Sequence, residues 1–434
     1  MSSQTAILRT NRNFRLLFIG QTVSQLGDWF NSVAVFALLL DLTGSATAVA
    51  WMMIVQFLPM AIVGPVAGVV VDRVDRRRLM IATDLFRGVV VLGLLAVRTR
   101  EQVWLAYVVM MLVVTGSAFF EPARTATIPN VTSKEELMPA SALSSASWAA
   151  MLAIGASIGG LVTALAGRDI AFVINGLSFF ASAWFISRTT YDSTPVAKTP
   201  LKGWYALTGL PDMLDGLAYV RRNAHVSAIM FVKAGWGLAG GVLLLLTVFG
   251  QRIFPIAGST AAGIGVLYGA RGIGAGLGPM ALRWLLGQTP TTMRRSIGPA
   301  YFIVGAFYMA LAAAGTLPLA AVCVLLAHFG GSILWVFSTV LLQMEVPDEF
   351  RGRVFAAELA LVTLTSSISS YVTGYALDGL GWTPRALAFW LGAAFIIPGG
   401  LWLLMNARWK AVEVLETPAA THTGDEEMLE GRIG

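Results

Sequence analysis

An all-α membrane protein, with twelve transmembrane helices in two pseudo-symmetric six-helix bundles, is the fold this sequence predicts, on three observations. The chain is 56% hydrophobic and only 12% charged, whereas soluble domains carry about a quarter charged residues. Its apolar residues fall into a dozen runs, each near the length of about 20 residues that a spanning helix needs. Six runs precede a polar stretch near residue 200 and six follow it.

Charged residues, Pro and Gly punctuate the runs and set their limits. The first half holds runs at 14–40, 46–71, 79–97, 103–120, 140–166 and 170–187. Run 14–40 is too long for the apolar core of a cleaved leader and lacks a small-residue cleavage pattern, so it is expected to stay as the first span. Residues 1–13 then form a short cytoplasmic segment and 14–187 the N-terminal six-helix bundle. A linker follows at 188–225, where Leu214, Leu217 and Tyr219 suit a short amphipathic helix on the membrane surface. The second bundle, 226–405, holds runs at 226–249, 261–286, 297–314, 317–344, 355–377 and 386–405. The tail, 406–434, ends in acidic, small and polar residues and is expected to be disordered.

Basic residues mark the cytoplasmic side of such a chain. One side collects Arg9, Arg12, Arg15, Arg73, Arg76, Arg77, Arg78, Arg124, Lys134, Arg294, Arg295, Arg351 and Arg353, whereas the other receives chiefly Arg98, Arg100, Arg168, Arg252 and Arg385. Both termini are therefore expected in the cytoplasm of a multi-pass plasma-membrane protein. The net charge of +6 is spread over these short loops, which excludes a nucleic-acid patch.

The same composition excludes other classes. Spans this numerous leave no room for a soluble enzyme domain. Cys323 is the single cysteine, and His225, His328 and His422 are widely dispersed, so neither a disulfide framework nor a metal site is expected. His328 reads as a satisfied core residue. Gly272-Ile-Gly274-Ala-Gly276-Leu-Gly278 has the glycine spacing of a dinucleotide loop without the strand that must precede one, so it reads as close helix packing. With no phosphate-binding G-x-x-x-x-G-K-S/T loop either, no cofactor is expected and an ion gradient is left as the energy source.

A weak repeat ties the halves together. Gly68-Val-Val-Val-Asp72-Arg73 follows the second span of one half, and Gly278-Pro-Met-Ala-Leu282-Arg283 the second span of the other. Gly68, Asp72, Arg73, Arg77 and Arg78, with Asp75 in place of a glycine, resemble the loop signature of the major facilitator superfamily. Leu26-Gly27-Asp28-Trp29, Asp84-x-x-Arg87 and Phe120-Glu121-Pro122-Ala123-Arg124 resemble its twelve-helix efflux branch of macrolide and multidrug exporters. Gly155, Gly159 and Gly160 are similar to the end of that superfamily's antiporter motif, with Ala156 at its proline.

An ionised side chain at the bilayer centre costs about 2.5–3.5 kcal/mol, so each one needs a partner or a task. Asp28 lies mid-span on a polar face with Gln21, Ser24 and Asn31, beside Gln25. Burial disfavours the charged form of a carboxylate, so alternating exposure would let Asp28 carry a proton. Pairing with Lys233 or Arg271, or binding a cationic cargo, are the other roles open to it. Gln21, Gln25, Asn31, Lys233 and Arg271 are the cavity and substrate candidates, and Lys233 is near enough to the interface to snorkel. The loop cluster at Gly68, Asp72, Arg73, Arg77 and Arg78 reads as a gate. Asp84 and Arg87 should pair near the membrane boundary, and Glu121, Arg124, Arg351, Arg353 and Glu358 are further gate partners.

The resemblance implies a monomeric secondary transporter coupling proton movement to export of amphipathic small molecules or drugs by alternating access, among membrane lipids. A lysolipid or lipid flippase fits the same residues. A non-transporting receptor fits them less well, because the polar stripe costs insertion energy without a path to line.

Overall fold

The computed structural model describes residues 2–71, 73–191, 210–256, 259–286 and 289–416. Asp72, His422, linker residues 192–209 and tail residues 417–434 lie outside the described residues. The described chain is helical nearly throughout. Helices α1 (Ser2–Thr10), α2 (Arg12–Thr43), α3 (Ala46–Val71), α4 (Arg76–Val91), α5 (Val103–Val131), α6 (Lys134–Ala166) and α7 (Arg168–Ser187) precede the linker. After it come α8 (Leu210–Arg222), α9 (Ala224–Trp236), α10 (Ala239–Val248), α11 (Thr260–Leu286), α12 (Pro290–Ala313), α13 (Leu317–Glu345), α14 (Asp348–Asp378), α15 (Pro384–Ala394) and α16 (Ile396–Glu416).

Local sequence sets the ends. The Asn11 side chain accepts from the Phe14 N–H to start α2, and Gly44 closes it at φ 65°, a conformation glycine adopts without a Cβ clash. The departure from the loop signature at Asp75 has a structural use: its carboxylate accepts from the Arg78 N–H and caps α4, so the third span begins at Arg76 rather than 79. Ser133 and Glu136 form a reciprocal cap on α6.

Eleven helical stretches among the described residues are long and apolar enough to cross a membrane. Helix α11 is long enough at 27 residues, but its glycines and Arg271 dilute its hydropathy. Three expectations are corrected. The fourth run was expected to end at 120, yet α5 continues through Pro122 and Pro129 to Val131. The seventh span is broken between Trp236 and Ala239, where Gly237, Gly240 and Gly241 press against α14. Ser369 of α14 repairs that break, donating to the Leu238 carbonyl at 2.8 Å and accepting from the Gly241 N–H at 3.1 Å. The last span is interrupted at Phe395, because Pro398 has no N–H to return to Ala394, and α16 then runs to Glu416. Residues 406–416 are thus helical, not part of a disordered tail. Trp409 holds them, edge-on to Trp402 at 5.6 Å and against the His225 ring at 4.4 Å.

Helices up to α7 pack chiefly on one another, as do those from α8 onward. The two groups meet mainly along α3 with α14 and α6 with α11. Glycines make the second seam close: a methyl at Gly160 would lie 2.8 Å from the Gly265 Cα, and one at Gly265 would lie 2.8 Å from the Ala156 carbonyl oxygen. At the first seam, a methyl at Gly374 would lie 2.9 Å from the Ala50 Cβ. The repeat is not symmetric in its packing. Gly278 abuts the Phe329 backbone and Ser332, whereas Gly68 has nothing within 4 Å.

Candidate functional site

Helix α2 positions the polar face. Gly27 lets α2 approach α7, where a side chain would meet the Asn175 Oδ1 at 2.7 Å. Gly155 and Gly159 do the same for α6, at 2.9 Å from the Trp29 Cβ and 2.7 Å from the Phe30 Cα. These close approaches turn Gln21, Ser24, Asp28 and Asn31 towards α4 and α5. Gln21 accepts from Arg124 at 2.8 Å, and Arg124 also holds Glu121 at 2.8 Å. Ser147 donates to Gln25 at 3.4 Å, and Asn31 reaches the Met110 sulfur at 3.3 Å.

Asp84 and Arg87 pair as their spacing predicts. Both are buried in the first helix group. The Arg87 guanidinium lies between the rings of Phe120 and Phe179, at 4.5 and 4.3 Å, and donates to Ser117 at 3.0 Å. In the other group, Lys233 turns inward instead of snorkelling and meets Glu358 at 2.7 Å, with Trp335 and Phe355 at 4.8 and 5.8 Å from its ammonium. Glu358 is therefore the partner of a buried lysine rather than of the loop cluster.

Asp28 pairs with neither Lys233 nor Arg271. Its carboxylate is half-buried and makes no side-chain hydrogen bond or salt bridge among the described residues. The charges close enough to act on it are Arg87, Glu121 and Asp84. Arg271 lies 5.7 Å from the Trp29 ring and 5.6 Å from the Tyr268 ring.

The loop cluster fastens helix ends. Arg73 donates to the Val69 carbonyl at 2.9 Å, Arg76 to Ala126 at 3.1 Å, and Arg77 to the terminal carbonyls of α7, Ile186 and Ser187. Arg78 pairs with Asp75 at 3.6 Å on the surface, an interaction of small energy. Arg351 donates to the Gln343 and Val346 carbonyls at the end of α13, and Arg353 stacks on Phe350 and abuts Gly216 of α8. Tyr219 of α8 stacks on Phe350 at 4.5 Å.

The opposite end of the molecule holds a clamp between the two helix groups that sequence reasoning missed. Asp378, ending α14, accepts from the Ser45 hydroxyl and the Thr47 N–H, both at 2.7 Å, and so caps α3 from across the seam. Arg252 donates to the Gly44 carbonyl at 2.6 Å, and Thr260 to Asp41 at 3.2 Å. A Thr43-Gly44-Ser45 stop between two apolar runs could have marked a helix end there, though not its partner. His328 is a satisfied core residue, bonded to the Tyr308 hydroxyl at 2.7 Å.

The long apolar helices superpose on those of a solved peptide transporter POT with a TM-score of 0.73 over 94% of this chain and 99% of that one. At 12% identity that likeness is one of fold. The protein is a membrane transporter of the major facilitator type. It belongs to the transmembrane secretion effector family, whose model matches residues 2–427. Relatives include the uncharacterized MFS-type transporter YfiS of Bacillus subtilis, 26% identical over 92% of this chain and 93% of its own. Macrolide efflux protein A of Streptococcus pyogenes is 24% identical over 85% of this chain and 90% of its own.

Proposed function

We propose that the protein is a twelve-span, two-bundle secondary transporter, with both termini cytoplasmic, that exports amphipathic small molecules in exchange for protons by alternating access. Helix α11 supplies the twelfth span. The observation that carries the coupling is the state of Asp28. Asp84, Glu121 and Glu358 each have a basic partner, whereas Asp28 has none among the described residues and is half-buried. A carboxylate without a fixed counter-ion responds to its access to water: ionised when wet, protonated when sealed. Movement of the helix groups past each other changes that access and so moves a proton.

Two features support alternating access. Contacts between α3 and α14 are close in the half of α3 near the clamp, where Thr47, Ala50, Trp51 and Met53 meet Gly374, Tyr371 and Ser370. A methyl at Gly64 or Gly68, towards the loop cluster, would meet no other element within 4 Å among the described residues. With the loop cluster on the cytoplasmic side, as proposed, this arrangement would face the cytoplasm and be closed at the clamp. Export of amphipathic compounds is the cargo reading supported by macrolide efflux protein A and by the aromatic contacts Trp29–Trp148 and Phe36–Tyr268.

The test is a panel of amphipathic antibiotics and lysolipids on cells expressing the wild type or Asp28→Asn at matched levels. Resistance conferred by the wild type and lost with Asn supports the proposal. Equal resistance from both overturns the role of Asp28, and lysolipid uptake alone would assign a lipid flippase.

A further inference from the structure

Helix α11 presents three faces that its neighbours define. Gly265, Gly272 and Gly276 lie against Ala156, Ala153 and Ala149 of α6. Gly274 and Gly278 lie against Leu325 and Phe329 of α13. Val266, Ile273, Leu277 and Met280 are 37–70% exposed and form the outer face. At 100° per residue, Tyr268 and Arg271 fall opposite that outer face, between the two packed ones. Arg271 therefore points into the interior between the helix groups, where it is half-buried.

Its guanidinium has aromatic neighbours and no anion. The Trp29 and Tyr268 rings lie 5.7 and 5.6 Å away, at the outer reach of cation–π attraction. Among the described residues it makes no hydrogen bond or salt bridge. Three interior carboxylates are committed elsewhere: Asp84 to Arg87, Glu358 to Lys233 and Glu121 to Arg124. Asp28, the remaining one, makes no salt bridge or hydrogen bond with Arg271 among the described residues. An interior cation without a protein anion among the described residues carries an insertion cost that a transient anionic partner would offset.

We propose that Arg271 reads an anionic group, a carboxylate or a phosphate, on the amphipathic cargo, whose ring or chain lies along Trp29. A guanidinium presents paired donors that match either oxyanion. The inference rests on the interior being the cargo path, as proposed above, but not on Asp28 carrying the proton.

The test uses matched probes on purified protein, followed by quenching of tryptophan fluorescence. Pyrenebutyrate is compared with pyrenebutyramide, and lysophosphatidate with monopalmitoylglycerol. The expected result is binding of at least one anion about tenfold or more tighter than its uncharged mate, the size expected for a charge-assisted hydrogen bond. That preference is lost in Arg271→Gln and partly kept in Arg271→Lys, which retains the charge without the fork. Preference for pyrenebutyrate alone assigns a soluble carboxylate, and for lysophosphatidate alone a lipid headgroup. Equal or absent binding across both pairs in the wild type, or an unchanged preference in Arg271→Gln, overturns the assignment. Asp28→Asn should keep the anion preference, so failure of the coupling proposal is read separately from failure of this one.

Discussion

Removing Glu358 should destabilise the protein more than removing both Glu358 and Lys233. The pair is joined at 2.7 Å with side chains only 4% and 5% exposed, and the lysine's other close neighbours are the rings of Trp335 and Phe355. Glu358→Leu leaves an ammonium among aromatic rings with no acceptor, and truncating one partner of a buried pair typically costs about 3–5 kcal/mol. Lys233→Met with Glu358→Leu removes both charges and fills similar volume, a change that is often neutral or stabilising by about 1–4 kcal/mol. The pair should therefore show a coupling energy of roughly 3 kcal/mol or more in a double-mutant cycle. Reversible unfolding in mixed detergent micelles, followed by tryptophan fluorescence, measures it for wild type, both singles and the double. Additive effects, with coupling below about 1 kcal/mol, would refute the reasoning and mean that the pair is wet and screened.

Other consequences follow from the seams. Asp378→Ala removes a helix cap supplied across the clamp, worth about 0.5–2 kcal/mol. It should raise the population open at that end by roughly 2- to 30-fold, read as faster labelling of a cysteine placed at Ala50 in a Cys323→Ala background; unchanged labelling counts against a clamp. Gly160→Leu places a side chain where Gly265 and the Ala261 carbonyl stand within 2.8 Å. It should block closure of that seam, abolishing transport while leaving a monodisperse protein, and retained transport would show the seam need not close. Gly216→Val should push α8 off Arg353, whose Cβ lies 2.7 Å from the site, and increase amide exchange at 216–222 without unfolding the spans; unchanged exchange would place α8 elsewhere.

Much of the fold was legible because apolar runs are long and their punctuation is chemical. What was illegible came from interactions between runs. Helix α5 outlasts its apolar run because Glu121 and Arg124 pair within it and with Gln21, so charged residues could stay helical past Pro122. The break after Trp236 depends on Ser369, 128 positions from its partner Gly241. For the site, the i,i+3 spacing of Asp84 and Arg87 announced their pairing but not its depth, which Phe120 and Phe179 set. Lys233 was read from the sequence as a cavity candidate and Glu358 as a gate partner, and only the fold makes each the other's partner. Asp378 sits at a helix end, where an aspartate is unremarkable by sequence, so its cross-seam role left no local signal.

The most direct test of the proposed coupling is proton movement into proteoliposomes containing a pH-sensitive dye, driven by an outward gradient of a compound that the wild type exports. Acid-side proton flux that depends on the compound, present with the wild type and absent with Asp28→Asn while the Asn variant still binds the compound, is the predicted result. Equal proton flux through both proteins would contradict it.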